Sequence, residues 1–125
     1  MKEHKFSIME RIRSFGPAFK GLGILIKEEH NSRIHLFAAL LVLAASIILR
    51  ISAIEWVAVI FAIGLVFVSE IFNSVIENLS DFVSQEKNEK IRKIKDLAAA
   101  GVLVSSLTSL AVGLIVFLPK ILKLC

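Results

Sequence analysis

The chain has a single cysteine and none of the common catalytic loop motifs. The one cysteine, Cys125, excludes an intramolecular disulfide and a cysteine-rich metal site. No GxxxxGK[ST] phosphate loop, GxGxxG dinucleotide fingerprint or GxSxG nucleophile elbow occurs. Internal repeats and Gly/Ser linkers are also lacking, as is a secretory signal at the amino terminus. We therefore expect one domain over residues 1–125 that inserts through its own helices.

Apolar residues are abundant. They make up 56% of 125 residues, and the mean hydropathy is +0.77. A soluble domain of this size buries only about 60–70% of its unfolded surface, so much of this apolar surface would face water. The composition therefore predicts a membrane protein. The net charge of +4 comes from basic residues gathered at a few places, which suits anionic headgroups or phosphates and not nucleic acid.

Three long apolar runs predict three transmembrane helices. They are Ile34 to Leu49, Ile54 to Ile76 and Leu97 to Leu118, and we place the helices at about residues 33–51, 54–80 and 97–118. Crossing a bilayer takes about 20 helical residues, so the first run is short and is expected to extend into its flanks. Three spans cannot close a barrel, and an all-α membrane fold follows.

An amphipathic segment precedes the first span and predicts a surface helix within residues 1–30. Its apolar residues recur at steps of three and four, which is the period of one helix face. Basic residues alongside them suit the membrane interface. Pro17 lacks a backbone donor, so a kink or a break into two short helices is expected near Gly16. Ordinary amphipathic packing explains the stripe equally well.

The basic residues also predict the orientation. Seven precede the first span, one separates spans one and two, five separate spans two and three, and two follow. The positive-inside rule then places the amino terminus and the segment from about Ser80 to Lys95 in the cytoplasm of a bacterial inner membrane.

Acidic and amide residues form a stripe at the cytoplasmic end of the second span. Glu70, Asn73, Glu77 and Asp81 fall within roughly 80° of one helix face. A carboxylate near bilayer depth costs about 2.5–3.5 kcal/mol, so it needs a partner, an ion or a cavity. No lysine stands beside these acids in sequence. Oxygen ligands suit Mg²⁺, which is usually held with phosphate oxygens and so points to a nucleotide. Pairing of Glu70 and Glu77 with Arg33 or Lys95 of neighbouring helices is an equally good explanation.

Two further polar groups belong to the same membrane face. Glu29 precedes span one and could complete a cation site with Glu77, while Arg33 could bind phosphate or snorkel to the interface. Lys95 and Asp96 precede span three. Lys95 suits a phosphate or a solvated interface, and Asp96 is well placed to cap the helix. His30, Asn31 and His35 lack the spacing of a transition-metal site.

Together these residues resemble a known family. The pattern Glu70-x-x-Asn73-Ser74-x-x-Glu77-x-x-x-Asp81 is similar to the signature of the bacterial integral-membrane diacylglycerol kinases, which include undecaprenol kinases. Lys20-Gly21-Leu22, Glu29-x-x-x-Arg33 and Lys95-Asp96 follow in the family's order and spacing. The resemblance covers most of the chain from about Lys20 to Gly101.

The resemblance implies a homotrimer of three-span subunits that uses Mg²⁺ and ATP to phosphorylate a lipid alcohol, diacylglycerol or undecaprenol. Its active sites would lie at the cytoplasmic membrane face and draw on neighbouring subunits. The implied roles are catalytic base for Glu70, orientation of the reacting groups for Asn73, and Mg²⁺ ligands for Glu29 and Glu77. ATP contacts are implied for Glu29, Glu77, Lys95, Asp96, Glu86 and Asn88. Arg33, Asp81 and Ala99 are expected to contact substrate or support the site.

Two features depart from the family pattern. In ungapped register, Glu10 and Pro17 stand where family members have an arginine and a tyrosine on the surface helix. His35 replaces an acid, and the run Asn31-x-Arg33-Ile34-His35 is more similar to the undecaprenol kinase branch.

Two other classes of function are weighed against a lipid kinase. A non-catalytic membrane assembly protein would use its buried acids only to hold helices together. A cation channel or transporter would line a pore with them, but three spans without an inverted repeat disfavour it.

Overall fold

A computed structural model describes residues 7–86 and 88–125, and the described residues form four helices and no strand. The helices are α1 (Ile8–Glu28), α2 (His30–Ile48), α3 (Ala53–Val83) and α4 (Glu89–Leu124). The last three are long and apolar enough to cross a membrane. The predicted all-α fold with three spans is confirmed.

α1 and α2 are joined by one residue, Glu29, whose backbone is extended at φ −103° and ψ 109°. Ser7 caps the start of α1 by accepting a hydrogen bond from the Glu10 amide. Pro17 lies inside α1. Of the kink or break expected near Gly16, the break into two helices is wrong, because α1 runs as one helix from Ile8 to Glu28.

The turn between α2 and α3 is tight and well capped. Arg50 takes a left-handed backbone conformation at φ 50°, which reverses the chain within a few residues. Ser52 and Glu55 then form a capping box in which each side chain bonds the other's backbone amide. This pairing satisfies donors that the first turn of α3 cannot satisfy within the helix.

α3 and α4 form the main helix pair, and they run antiparallel. Ser109 Oγ of α4 donates to the Ala62 carbonyl of α3 at 2.9 Å. Lys120, near the end of α4, lies 3.1 Å from Glu55 at the start of α3. These contacts tie the helices together over the half of the bundle remote from Glu70.

The bundle has a small core and a large apolar surface. The buried core consists of Ile51, Val59 and Val116, with Trp56 and Phe117 among the residues packed against it. Only 17%, 22% and 11% of the apolar windows of α2, α3 and α4 are buried by the described chain. Such exposure would be unstable in water, and it fits a chain whose solvent is largely lipid.

Candidate active site

Glu70 is the most deeply buried acid of the described chain, with 4% of its surface exposed. It lies on α3, facing the start of α2. Ser32 Oγ donates a hydrogen bond of 2.7 Å to Glu70 Oε2. His35 Nε2 lies 3.1 Å from the other oxygen, Oε1. α2 can deliver both side chains because positions three apart lie on the same helix face.

The two carboxylate oxygens of Glu70 are therefore not equivalent. Oε2 is occupied by the Ser32 hydroxyl, whereas Oε1 is buried and has no hydrogen bond within the described residues, although His35 is close. The same holds for Asn73 Oδ1, one turn further along α3. Buried acceptors are nearly always satisfied. Asn73 Oδ1 therefore fits a donor or a cation that arrives with a substrate, and Glu70 Oε1, which has two lone pairs, fits one beside His35.

Glu29 joins the α1–α2 junction to α3. Its Oε1 accepts a hydrogen bond of 3.1 Å from Ser74 Oγ, and Ser74 stands four residues beyond Glu70. Glu77 follows within one more turn of α3, and Glu29 and Glu77 are both half-buried. Glu29 thus contacts α3 at Ser74, between Asn73 and Glu77, and its sharing of a cation with Glu77 stays a prediction.

The described residues contain no group of three or more histidine, cysteine or carboxylate side chains that could hold a metal ion by themselves. Two carboxylates with water or phosphate oxygens are, however, the usual donor set of Mg²⁺. Glu29 and Glu77 fit such a set, and Asn73 Oδ1 offers a further free oxygen nearby on α3.

At the end of α3, Lys95 of α4 lies 2.6 Å from Asp81. Lys95 thus supplies the stripe with a cation from a neighbouring helix. The side chains beside Glu70 are Ser32 and His35, so the alternative in which Glu70 pairs with Arg33 or Lys95 does not describe its contacts.

A polar cleft of about 580 Å³ opens around this ion pair. Of the six residues predicted to contact ATP, it contains four, together with Arg92, but neither Glu29 nor Glu77 lines it. Its lining includes Asp81, Glu86, Asn88, Arg92, Lys95 and Asp96. The cleft therefore presents both cationic and hydrogen-bonding groups to water.

The start of α4 differs from the expectation. α4 begins at Glu89, capped by Asn88, whose Oδ1 accepts from the Lys90 amide at 2.8 Å. Asp96 is therefore two turns inside the helix, and the expectation that it caps span three is wrong. Lys95 is consequently held on a regular helix opposite Asp81.

Arg33 and Ala99 are both exposed. Within the part of the chain that the structure describes, neither lines the polar cleft nor bonds Glu70. Ser32, Ser74 and Arg92 were not among the predicted site residues. The first two lie in sequence beside predicted ones, but only the packing of α2 and the α1–α2 junction on α3 shows their contacts.

An apolar groove of about 820 Å³ runs between α1 and α3 on the other side of Ser74. Gly21 and Leu25 line it from α1, and Ile71 and Val75 from α3. Ser74 also lines this groove, so the groove reaches the Glu29–Ser74 contact.

The family model described as prokaryotic diacylglycerol kinase matches residues 16–117 of this chain. An undecaprenol kinase of Bacillus subtilis is 32% identical over 120 residues, which cover 96% of this chain and 98% of that protein. A diacylglycerol kinase of Escherichia coli K12 is 33% identical over 94 residues, which cover 75% of this chain and 77% of that protein. A diacylglycerol kinase of Synechocystis is 31% identical over 89% of this chain, which spans 64% of that protein.

Proposed function

Because the chain belongs to the prokaryotic diacylglycerol kinase family, we propose that it transfers the γ-phosphate of ATP to the hydroxyl of a membrane lipid alcohol, with undecaprenol as the preferred acceptor. Diacylglycerol is the second acceptor to be tested. The preference rests on the match to the Bacillus subtilis undecaprenol kinase, which spans 98% of that protein. Family membership disfavours the non-catalytic assembly protein.

The observation that carries the chemistry is the buried Oε1 of Glu70, which has no hydrogen bond within the described residues and lies 3.1 Å from His35 Nε2. A general base must lie within hydrogen-bond reach of the proton that it takes. Oε1 keeps a lone pair beyond the one that faces His35, and a lipid hydroxyl would donate to it. We assign it as the atom that accepts the hydroxyl proton, while Ser32 holds Oε2 and fixes the plane of the carboxylate. Asn73 Oδ1 would orient the hydroxyl from the next turn of α3.

Glu29 and Glu77 would hold Mg²⁺, which when bound neutralises charge on the phosphate groups of ATP. Lys95 would bind phosphate oxygens, and the cleft lined by Glu86, Asn88 and Asp96 would receive the rest of the nucleotide. Glu70 and Asp81 are eleven residues apart on α3, which is about 16 Å along a helix. That length suits a site with the reacting hydroxyl at one end and the nucleotide at the other.

The groove between α1 and α3 is proposed as the binding place of the lipid chain, because its walls are apolar and it ends beside Ser74. Arg33 would bind a phosphate or headgroup at the interface, and Ala99 would support the site from α4.

We propose that the amino terminus faces the cytoplasm of the bacterial inner membrane, with α1 on the membrane surface. The Glu29–Ser74 contact supports a common face, since it joins the α1–α2 junction to the same end of α3 that carries Asp81, the partner of Lys95 of α4. The resemblance to the family supports a homotrimer. The absence of three metal ligands within the described subunit agrees with a site that the substrate or a neighbour completes.

The test is transfer of labelled γ-phosphate from Mg-ATP by purified protein in mixed micelles, with undecaprenol and diacylglycerol offered in parallel. Glu70→Gln is expected to reduce product formation to a small residual rate, and Glu28→Gln, an exposed acid at the end of α1, is expected to leave it intact. A larger kcat/KM for undecaprenol supports the proposal. Preference for diacylglycerol would overturn the assigned acceptor, and no product from either lipid by a well-folded protein would overturn the kinase activity.

A further inference from the structure

A buried base must lose its proton in every turnover. Glu70 is 4% exposed, so a proton taken from a lipid hydroxyl is not released directly to bulk water. Two side chains lie within hydrogen-bond distance of its carboxylate, and they are Ser32 and His35. The fate of the proton depends on which of them can accept it.

Ser32 is a poor acceptor in this position. Its side chain is fully buried, and its hydroxyl donates to Oε2. A serine hydroxyl that already gives its proton to the carboxylate orients that carboxylate and cannot carry a proton away without first being rearranged. Its role is to hold Oε2 and leave Oε1 as the reacting oxygen.

His35 has the properties that Ser32 lacks. Its Nε2 lies 3.1 Å from Oε1, within the range of about 2.6–3.2 Å over which proton transfer between heavy atoms occurs. Its side chain is 28% exposed, so the ring extends from the buried carboxylate to the surface of the subunit. An imidazole changes its charge near neutral pH and can both accept and release a proton.

Apart from Glu70, the neighbours of the His35 ring are mostly apolar. The ring also borders a small cavity of about 120 Å³, with Ala39, Val59, Val66 and Phe117 among its walls. Among the lining residues of this cavity, His35 is the one titratable group, so Glu70 is the acid that faces its Nε2.

We propose that His35 is a positioning and relay residue that acts through Glu70, an inference that rests on the proposed lipid kinase reaction. As the lipid oxygen bonds to the γ-phosphorus and the bond from phosphorus to the bridging oxygen of ADP breaks, the hydroxyl proton moves to Glu70 Oε1. It then passes to the lone pair of neutral His35 Nε2, and the imidazolium releases a proton to water. Glu70 is again ionised, and ADP and the lipid phosphate leave.

The first variant is His35→Gln, with His30→Gln as the matched control because His30 is an exposed histidine at the start of the same helix. General acid–base groups contribute about 10²–10⁴-fold. Since the relay acts behind the base, we expect kcat to fall about tenfold or more, with KM for Mg-ATP and for the lipid nearly unchanged. His30→Gln is expected to behave as the wild-type protein.

Two further measurements separate a relay from ordinary packing. Removal of the ring in His35→Ala leaves space beside the existing cavity, so added imidazole is expected to restore part of kcat. In a Glu70→Gln background, His35→Gln is expected to cause little further loss of the residual activity, because residues that act as a unit are not additive. A packing defect would respond to neither imidazole nor the state of Glu70.

The inference is overturned if His35→Gln keeps the wild-type kcat or if imidazole does not raise the kcat of His35→Ala. It is also overturned if the activity losses caused by Glu70→Gln and His35→Gln add in full in the double variant. If the wild-type protein is active and any of these results is obtained, the role of His35 is overturned and the proposed function stands. A wild-type protein that phosphorylates neither lipid overturns the proposed function together with this inference.

Discussion

Removal of the Ser32 hydroxyl tests whether the contact with Glu70 is the main polar link between α2 and α3. In Ser32→Ala, Oε2 of a buried carboxylate loses its hydrogen bond. Hydrogen bonds to charged groups contribute about 1.5–3 kcal/mol, whereas polar contacts between membrane helices average about 0.6 kcal/mol. We expect the free energy of unfolding to fall by an amount nearer to about 1.5–3 kcal/mol than to about 0.6 kcal/mol. Ser32 is fully buried and Glu70 is 4% exposed, so no water can replace the donor.

The assay is equilibrium unfolding in mixed micelles, applied to a double-mutant cycle of Ser32→Ala and Glu70→Leu. Glu70→Leu removes the buried charge, so the double variant is expected to be less destabilised than the sum of the single variants. The coupling free energy should exceed about 1 kcal/mol, well above the additivity error of about 0.3–0.5 kcal/mol. Ser106, half-buried on α4 and remote in sequence, provides the control variant Ser106→Ala. Additive effects at Ser32 and Glu70 would refute the hydrogen bond and the orientation of Glu70 derived from it.

Other variants probe the remaining parts of the site. Lys95→Met should raise the KM for ATP by at least about tenfold, the effect of one lost charge-assisted hydrogen bond, and spare the lipid KM. Asp81→Asn should change the ATP KM little, since an exposed ion pair adds little binding energy; a loss equal to that of Lys95→Met would contradict this reading. Glu29→Gln should shift the Mg²⁺ titration of activity to higher concentration, and an unchanged titration would exclude Glu29 as a ligand. Glu55→Gln breaks the contact with Lys120 at the opposite end of the bundle and should leave both KM values unchanged.

The fold was predictable because the three spans are long apolar runs, and lipid leaves the backbone no alternative to a helix. The boundaries were less predictable where polar segments extend the helices. α3 continues to Val83, beyond the predicted 80, and α4 starts at Glu89 although its first apolar run begins at Leu97. Lys90 to Lys95 is polar enough to resemble a loop, but it can remain helical outside the hydrocarbon because water solvates its side chains.

The site was predictable along α3 and less so across helices. The spacing of Glu70, Asn73 and Glu77 predicts that they share one helix face, because the helical period alone places them together. The partners of Glu70 do not follow from spacing, because Ser32 is 38 residues away in sequence. The contact depends on how α2 packs on α3, and single-sequence patterns do not encode that packing. The lysine that pairs with Asp81 is 14 residues away and depends on the helical start of α4.

Exposure along the α3 stripe rises in the order that the proposed reaction requires. Glu70 is 4% exposed, Asn73 and Glu77 are half-buried, and the Asp81 side chain is 65% exposed. A lipid hydroxyl reaches the site from the bilayer and needs a base in a dry place, where electrostatic interactions are strong. ATP arrives from water and needs cations at the surface, where Lys95 and Arg92 line the polar cleft. Because one helix carries both ends of the site, the reacting oxygen and the phosphate can be held in a fixed relation while each substrate stays in its own solvent.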